Sequence, residues 1–170
     1  MRTLVALGAL ILLVRPASAQ FGIEVPEVVV SWEASIRPAA SAPAMTDTFR
    51  PGETAFVTLV ANVADGWHMY SLDSPSGRPL EVHLDELPRG LALIGRTSET
   101  EPGTAYDPGL EEEYHYHDGR SRIWQRISIS NQAEEGETVI SGSIRYAACR
   151  EGLCLPVREE PFTVRMNVQK

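Results

Sequence analysis

The two cysteines of the chain stand close together near its C-terminal end. Cys149 and Cys154 are the only cysteines among the 170 residues, and they lie in the segment YAACREGLCLP, Tyr146 to Pro156. Two thiols at this spacing can close a structural disulfide, work as a redox pair, or join other ligands in a metal site. The segment has no Cys-x-x-Cys spacing of the thioredoxin type. A redox-active pair here is therefore expected to be attacked by a more reactive thiolate from another protein.

The position of the pair predicts a short-range disulfide at a turn. Two-residue alternation along the preceding strand places Cys149 on the polar face with Ser143 and Arg145, where the strand ends. Gly152 can take a positive φ in a tight turn before Cys154. Closing a loop of about six residues stabilises a fold by roughly 2 kcal/mol, which is modest for a staple. The residues leave a structural and a redox role open, and placement at the surface slightly favours Cys149 as the sulfur that is attacked.

A second set of chemically capable residues lies on one predicted strand. His115 and His117 are two residues apart and therefore share a face of that strand with glutamates in the same phase. The simpler interpretation is a polar face opposite buried Tyr114 and Tyr116. A copper or zinc site is the alternative hypothesis, and no cofactor is predicted. The candidate ligands are His115 and His117, with Glu111, Glu113, His68 and Met69 as additional donors.

The first nineteen residues predict a signal peptide. Arg2 supplies a positive start, the segment Leu4–Val14 is apolar throughout, and the small residues Ala17-Ser18-Ala19 form a cleavage pattern. The apolar run of 11 residues is too short to cross a bilayer, which takes roughly 20. We therefore expect a cleaved signal peptide over residues 1–19 and an exported, periplasmic protein with no stable membrane insertion.

The charge of the chain excludes some classes of partner. The whole sequence has a formal net charge of −8, and cleavage would remove Arg2 and Arg15 but no acidic residue, leaving about −10. Nucleic acids and anionic membranes need a basic surface, so neither is an expected partner. Residues 20–170 are enough for a single domain with a full core. In an oxidising compartment, two nearby cysteines are usually found as a disulfide.

The segments that position these residues are predicted to be β-strands. Apolar and polar residues alternate in Ala55–Val63, Arg122–Ser130, Val139–Ala148 and Phe162–Val168, with turn residues between the segments. Eight or nine half-buried strands in about 150 residues predict an all-β fold, an antiparallel β-sandwich. Weaker strands are predicted at Val28–Trp32, Trp67–Ser71, Leu80–Leu84, Leu91–Arg96 and Glu113–Asp118.

Two segments read as irregular. Residues 31–53 include a stretch rich in proline and alanine and are predicted to be loosely structured. Thr97–Glu113 is a polar stretch with two prolines and two glycines, and it is predicted to be one long connection. Connections of that length inside compact domains tend to be functional or mobile.

Three motifs occur together in the order known from one protein family. They are DGWHMYS (Asp65–Ser71), the tyrosine-rich EEEYHYHDG (Glu111–Gly119) and YAACREGLCLP (Tyr146–Pro156). From about Trp32 to Val168 the chain resembles the N-terminal periplasmic domain of the thiol:disulfide interchange protein DsbD. The resemblance implies an immunoglobulin-like sandwich, in agreement with the strand pattern.

The resemblance also implies a function. In that family a cysteine pair, here Cys149 and Cys154, receives electrons from a membrane electron transporter through a thioredoxin-like domain. It passes them to periplasmic thioredoxin-fold proteins that isomerise disulfides or take part in cytochrome c biogenesis. Family members shield the disulfide with a cap loop, which here would consist of Tyr106, Asp107, Pro108, Gly109 and Leu110.

Three functional hypotheses follow. The first is a periplasmic thiol-disulfide exchange domain, a component of protein-disulfide reduction that works through Cys149 and Cys154. The second is a non-enzymatic exported binding module in which the disulfide is structural. The third is a copper- or zinc-binding sandwich that uses His115 and His117.

Overall fold

All the regular secondary structure that is described belongs to β-strands. The computed structural model describes residues 26–39, 47–108 and 111–170, so the predicted signal peptide, residues 1–19, lies outside the described residues. Within these ranges no helix is long and apolar enough to cross a membrane. The strands are β1 (Val30–Pro38), β2 (Thr48–Phe49), β3 (Thr54–Val63), β4 (His68–Tyr70), β5 (Glu81–Leu84), β6 (Leu91–Glu99), β7 (Gly103–Asp107), β8 (Glu112–His117), β9 (Arg120–Ile129), β10 (Gly136–Tyr146), β11 (Ala148–Arg150), β12 (Leu153–Cys154) and β13 (Arg158–Val168).

The strands pair into three sheets. The first sheet has the order β1-β3-β9-β6, the second β2-β13-β10-β5, and the third β12-β11-β4-β8-β7. Neighbouring strands run antiparallel, except that the short strand β2 pairs with β13 in parallel. The first and second sheets make the body of the sandwich, and the third carries both cysteines.

The first sheet buries one face because its long strands alternate as the sequence predicts. In β3, Val57 and Leu59 are each 2% exposed, and Leu59 pairs with Ile123 of β9. Ile127 of β9 is fully buried and pairs with Ala55. Apolar pairs that face each other across neighbouring strands are the unit by which a sheet is stabilised.

The second sheet supplies the other half of the core. Ile140 and Ile144 of β10 are each 1% exposed, while β13 contributes Val164 and Met166 in the same phase. Buried residues from the two sheets form one continuous hydrophobic cluster. The predicted antiparallel β-sandwich is therefore confirmed.

The prediction that residues 31–53 are loosely structured is wrong for the parts that form strands. Residues 31–38 belong to β1, which pairs along its length with β3, and Ile36 is 9% exposed. Phe49 of β2 is completely buried. The proline- and alanine-rich composition concealed strands because β1 and β2 lie at sheet edges, where a proline costs few ladder hydrogen bonds. Residues 40–46 lie outside the described residues.

The segment Thr97–Glu113 is also more regular than predicted. Its start belongs to the end of β6, which shifts register against β9 between Ile94 and Ser98. Its middle forms β7, which pairs with β8 from Gly103 to Asp107. The long connection is thus a bulged strand followed by a hairpin, and the polar composition reflects exposed strand faces.

Candidate functional site

The cysteines close a small hairpin at the edge of the third sheet. Cys149 of β11 and Cys154 of β12 are directly paired and joined by a disulfide, with 4.1 Å between their Cα atoms. Between the strands, Glu151 and Gly152 both have positive φ, of 49° and 80°. Two successive positive φ values match the two-residue hairpin turn that suits the twist of the strands. The positive φ predicted for Gly152 is confirmed.

The two cysteine residues are not equally exposed. Cys149 is 2% exposed, whereas Cys154 is exposed. The prediction that Cys149 lies at the surface on the polar face is therefore wrong, and the reason for favouring Cys149 as the attacked sulfur is removed. The alternation of β10 ends at Tyr146, because the chain leaves the second sheet there and joins the third at Ala148. Ala147, at this crossing, is itself 1% exposed.

Strand β4 places a histidine directly opposite the buried cysteine. The turn at Asp65 and Gly66 leads into β4, where His68 pairs with Cys149 and Met69 with Ala148. Residues directly opposite each other in an antiparallel pair project their side chains to the same face. The side chains of His68, Cys149 and Cys154 therefore stand in one row across three strands.

Aromatic rings surround the histidine on that face. The His68 ring stacks on Tyr114 with 5.5 Å between centroids, and it meets the rings of Tyr70 and Tyr116 edge-on at 6.0 and 5.6 Å. Tyr70 and Tyr116 are themselves paired across β4 and β8. We call these four residues, His68, Tyr70, Tyr114 and Tyr116, the aromatic cluster.

Burial and nearby charge set the protonation of the cluster. Burial lowers the pKa of His68 from its ordinary 6.5, against the opposing effect of the Asp118 carboxylate. Burial likewise raises the pKa of both Tyr70 and Tyr114, and the carboxylate of Asp107 adds to each shift. At neutral pH the cluster therefore holds an imidazole that favours its neutral form beside protonated phenols.

Two glycines let the aromatic rings lie flat against the chain. A Cβ atom on Gly77 would stand 2.2 Å from a ring carbon of Tyr70, and Gly77 has a φ of +82°. A Cβ atom on Gly103 would stand 2.8 Å from the Tyr116 ring. Both contacts are too short for any other residue, so these glycines shape the cluster.

The opposite face of the cysteine hairpin is anchored by a different aromatic. The guanidinium carbon of Arg150 lies 5.0 Å from the centre of the Trp67 ring, and Trp67 is 1% exposed. A cation over an indole face is attracted by the ring quadrupole. Trp67 therefore belongs to the core, and its contact with Arg150 anchors β11 there.

The strand that leads to Cys149 is held by Tyr146. Its ring meets Trp32 edge-on at 5.5 Å, and its hydroxyl donates a hydrogen bond to the Glu160 carboxylate. Burial, with the Glu160 hydrogen bond and charge, raises the pKa of Tyr146 to about 12. The edge-on contact with Trp32 connects the sandwich core to the start of the cysteine hairpin.

The predicted metal ligands are not assembled into a site. His117 is 4% exposed, and its Nε2 lies 2.9 Å from the Glu99 Oε2. Glu99 also accepts hydrogen bonds from the backbone N–H of Leu72. Among residues 26–39, 47–108 and 111–170, no group of three or more His, Cys, Asp or Glu side chains is arranged to hold a metal ion. His115 is half-buried and is not part of the His117–Glu99 pair.

The burial pattern of β8 contradicts the prediction that Tyr114 and Tyr116 are its buried residues. Tyr114 and Tyr116 are half-buried in the aromatic cluster, and the buried residue of this strand is His117. The reason is that the third sheet packs the histidine face inward, where Glu99 satisfies the imidazole. Sequence reasoning missed Glu99, because nothing in the chain marks a carboxylate on β6 as the partner of a histidine on β8.

The described part of the predicted cap, Tyr106 to Pro108, lies at the end of β7, in the hairpin with β8. Tyr106 and Asp107 close β7 and pair with Glu113 and Glu112. Tyr106 is 59% exposed. Pro108 follows the strand, whereas the predicted cap residues Gly109 and Leu110 lie outside the described residues. The effect of Asp107 on the pKa of Tyr70 places this carboxylate near the aromatic cluster.

One solved structure supports the fold, and a second is similar over a smaller part of the chain. A complex between the DsbD N-terminal and PilB N-terminal domains from Neisseria meningitidis matches 83% of this chain and 86% of that one, with a TM-score of 0.52 and 15% identity. The reduced DsbD N-terminal domain of Neisseria meningitidis matches 65% of this chain and 77% of its own, with a TM-score of 0.46 and 18% identity. The implied immunoglobulin-like sandwich is confirmed by the first of these matches together with the all-β architecture.

The sequence as a whole shows the family. A comparison with curated protein sequences finds no match. Residues 34–165 match the family described as the N-terminal domain of the thiol:disulfide interchange protein DsbD. This match spans most of the chain and includes all three motifs and both cysteines. The chain belongs to the family of DsbD N-terminal domains.

Proposed function

We propose that this protein is a periplasmic thiol-disulfide exchange domain that relays reducing equivalents through Cys149 and Cys154. The observation that carries the proposal is the unequal exposure of a short-range disulfide in a chain of this family. Cys154, the exposed residue of the pair, can meet an incoming thiolate, while burial of Cys149 protects that residue from unspecific reaction. Accessibility is one of the factors that set the rate of thiol-disulfide exchange.

The exchange proceeds in two balanced steps. A partner thiolate attacks the Cys154 sulfur, a bond forms between them, and Cys149 leaves as a thiolate with the electron pair of the broken disulfide. The second thiol of the same partner molecule, once deprotonated, then attacks the partner's sulfur in this mixed disulfide. Cys154 leaves as a thiolate. The partner is oxidised to a disulfide and this protein is reduced to a dithiol by two electrons. The reverse sequence passes the electrons on.

The partners we propose are thioredoxin-fold proteins of the periplasm, with a membrane electron transporter as the ultimate donor. Family membership supports the first, and the solved complex of a DsbD N-terminal domain with a PilB N-terminal domain is a precedent for a stable pairing with another domain. The chain's net charge of −8 gives no support for nucleic acid as a partner. An exported protein with residues 1–19 removed would meet these partners in the same compartment.

The test is to trap the mixed disulfide. A thioredoxin-fold reductant whose resolving cysteine is replaced by serine is mixed with the oxidised protein, and the products are analysed by non-reducing electrophoresis and peptide mass spectrometry. We expect a one-to-one adduct linked through Cys154. The matched control variant Cys154→Ala should form no adduct at that position. Absence of any adduct, or a linkage through Cys149, would overturn the proposed route.

We further propose that residues 106–110 cap the disulfide. Tyr106 and Asp107 lie on β7, which pairs with β8, and β8 carries part of the aromatic cluster that shares a sheet face with Cys149. Replacing residues 106–110 with a glycine-serine segment of equal length should make reduction by glutathione faster. A rate equal to that of the unchanged protein would count against the cap.

A further inference from the structure

A basic side chain, that of His68, lies next to the disulfide in the row of side chains across the third sheet. Cys154 pairs with Cys149, and Cys149 pairs in turn with His68 on the next strand. Directly opposed residues have Cβ atoms about 5 Å apart on the same sheet face. An imidazole beside a buried cysteine is the arrangement in which a nitrogen can take a proton from a thiol.

The histidine is held in this position by its neighbours. Its ring stacks on Tyr114 and meets Tyr70 and Tyr116 edge-on, so three rings restrict its rotation. Asp118, the residue after β8, is near enough for its carboxylate to act on the imidazole. A fixed imidazole with a carboxylate nearby resembles, in its parts, the base and orienting group of nucleophilic active sites.

The charged and titratable groups around His68 leave it as the available base. Tyr70 on its own strand and Tyr114 on β8 both have a raised pKa and so remain protonated near neutral pH. The other facing groups are the phenol of Tyr116, the carboxylate of Asp118 and the thiol of Cys149. Arg150 of β11 lies over Trp67 and, since residues alternate along a strand, faces away from Cys149. Further from His68, Asp107 and Arg78 act on the Tyr70 phenol with opposite effects.

We propose that His68 accepts the proton of the Cys149 thiol when the reduced protein resolves a mixed disulfide at Cys154. This inference rests on the proposed exchange function. One ring nitrogen of His68 takes the proton, and the Cys149 thiolate attacks the Cys154 sulfur. The Cys149–Cys154 bond forms, the bond from Cys154 to the partner sulfur breaks, and the partner leaves as a thiolate with that electron pair. The imidazolium then releases its proton to solvent or to the departing thiolate.

The same group serves the opposite direction of transfer. When a partner thiolate opens the disulfide, Cys149 leaves as a thiolate in a buried position, where a charge is costly. In this direction His68 first takes a proton from solvent, and the imidazolium then donates that proton to the Cys149 thiolate. Burial keeps the resting imidazole neutral, which suits the role of base during resolution.

The experiment uses the whole reduced protein and a small aryl disulfide, dithiobis-nitrobenzoate, whose released thionitrobenzoate is coloured. The first release reports attack by Cys154 and the second reports its resolution by Cys149. The variant His68→Phe keeps an aromatic ring and removes the base. His83→Gln is the matched control, because His83 is exposed on β5 in another sheet. Thermal unfolding checks that each variant is folded.

We expect the second release in His68→Phe to be at least about ten-fold slower near pH 7, in the lower part of the range for general base catalysis. The difference should close above about pH 10, where the thiol ionises without help. His83→Gln should match the unchanged protein at every pH. The first release should be the same in all three proteins, because Cys154 does not need His68.

Three results would overturn the proposal. The first is an equal rate of the second release in His68→Phe and in the unchanged protein. The second is a loss of rate in His68→Phe that is the same at every pH. The third is a pH profile of the second release in the unchanged protein that has no inflection below 6.5, the ordinary pKa of histidine. The third result is measured on the unchanged protein, so it tests the proposal even if His68→Phe fails to fold. Because the reagent replaces the protein partner, a normal second release without any trapped thioredoxin-fold adduct would refute only the exchange function.

Discussion

Reduction of the Cys149–Cys154 disulfide should weaken the fold only slightly. The two residues are five positions apart, so the bridge closes a short loop. The chain-entropy relation gives about 2 kcal/mol for a loop of about six residues. Neither cysteine belongs to the hydrophobic cluster that joins the first and second sheets. Breaking the bond also removes no atoms, so it creates no cavity.

The assay compares urea unfolding of the same chain with and without excess dithiothreitol. A loss of about 2 kcal/mol corresponds to a shift of the midpoint by about 1 M urea, for a slope typical of a protein of this size. The slope itself should not change, since the reduced protein keeps the same buried surface. The double variant Cys149→Ala with Cys154→Ala is the control, and dithiothreitol should not move its midpoint.

A different outcome would support the structural hypothesis. A loss above about 4 kcal/mol, or complete unfolding on reduction, is the behaviour of a staple that constrains a long loop or a small disulfide-dependent domain. A relay must stay folded in both redox states, because each state has to meet its next partner. The reasoning from loop length would then be refuted together with the redox role.

Three further predictions follow from the geometry of the site. Tyr146→Phe removes the hydrogen bond to Glu160 at a residue that is 3% exposed, and should cost about 1–2 kcal/mol of unfolding free energy in urea. Gly77→Ala would place a Cβ atom 2.2 Å from the Tyr70 ring at a φ of +82°, and should cost at least about 2 kcal/mol by the same measurement. The lowered pKa of His68 means that the unfolded chain binds this proton first as pH falls. The stability linked to it is therefore complete above about pH 6.5 and declines below that value, and urea unfolding of His68→Phe should show a smaller decline.

The body of the sandwich could be predicted because its strands are half-buried. A strand with one face in the core alternates visibly, and β3, β9, β10 and β13 all do so. The edge strand β1 was harder to recognise, since its terminal proline and its small residues resemble those of a loop. The pattern also failed at Ala147, where the chain changes sheets and four successive residues from Tyr146 to Cys149 are buried. Two-residue alternation describes a single strand, so it does not predict where the chain crosses to another sheet.

The site was only partly readable. The cysteines and the Gly-Trp-His motif are visible in the sequence, and together they identified the family. The pairing of His68 with Cys149 is a matter of register between strands that are distant in the chain. The pairing of His117 with Glu99 depends in the same way on how β6 meets the third sheet. Register is set by the packing of the whole sheet, so a single sequence does not reveal it.

The division between the sheets explains how a redox reaction and a stable fold coexist in one small domain. The first and second sheets hold the continuous core, and the third sheet presents the disulfide at its edge hairpin. Tyr146 and Trp67 tie that hairpin to the core from two sides, through Trp32 and Arg150. If Cys149 and Cys154 form the proposed redox pair, their bond can therefore open and close while these supports stay in place. A bridge between the first and second sheets would have made each electron transfer a change in the stability of the core.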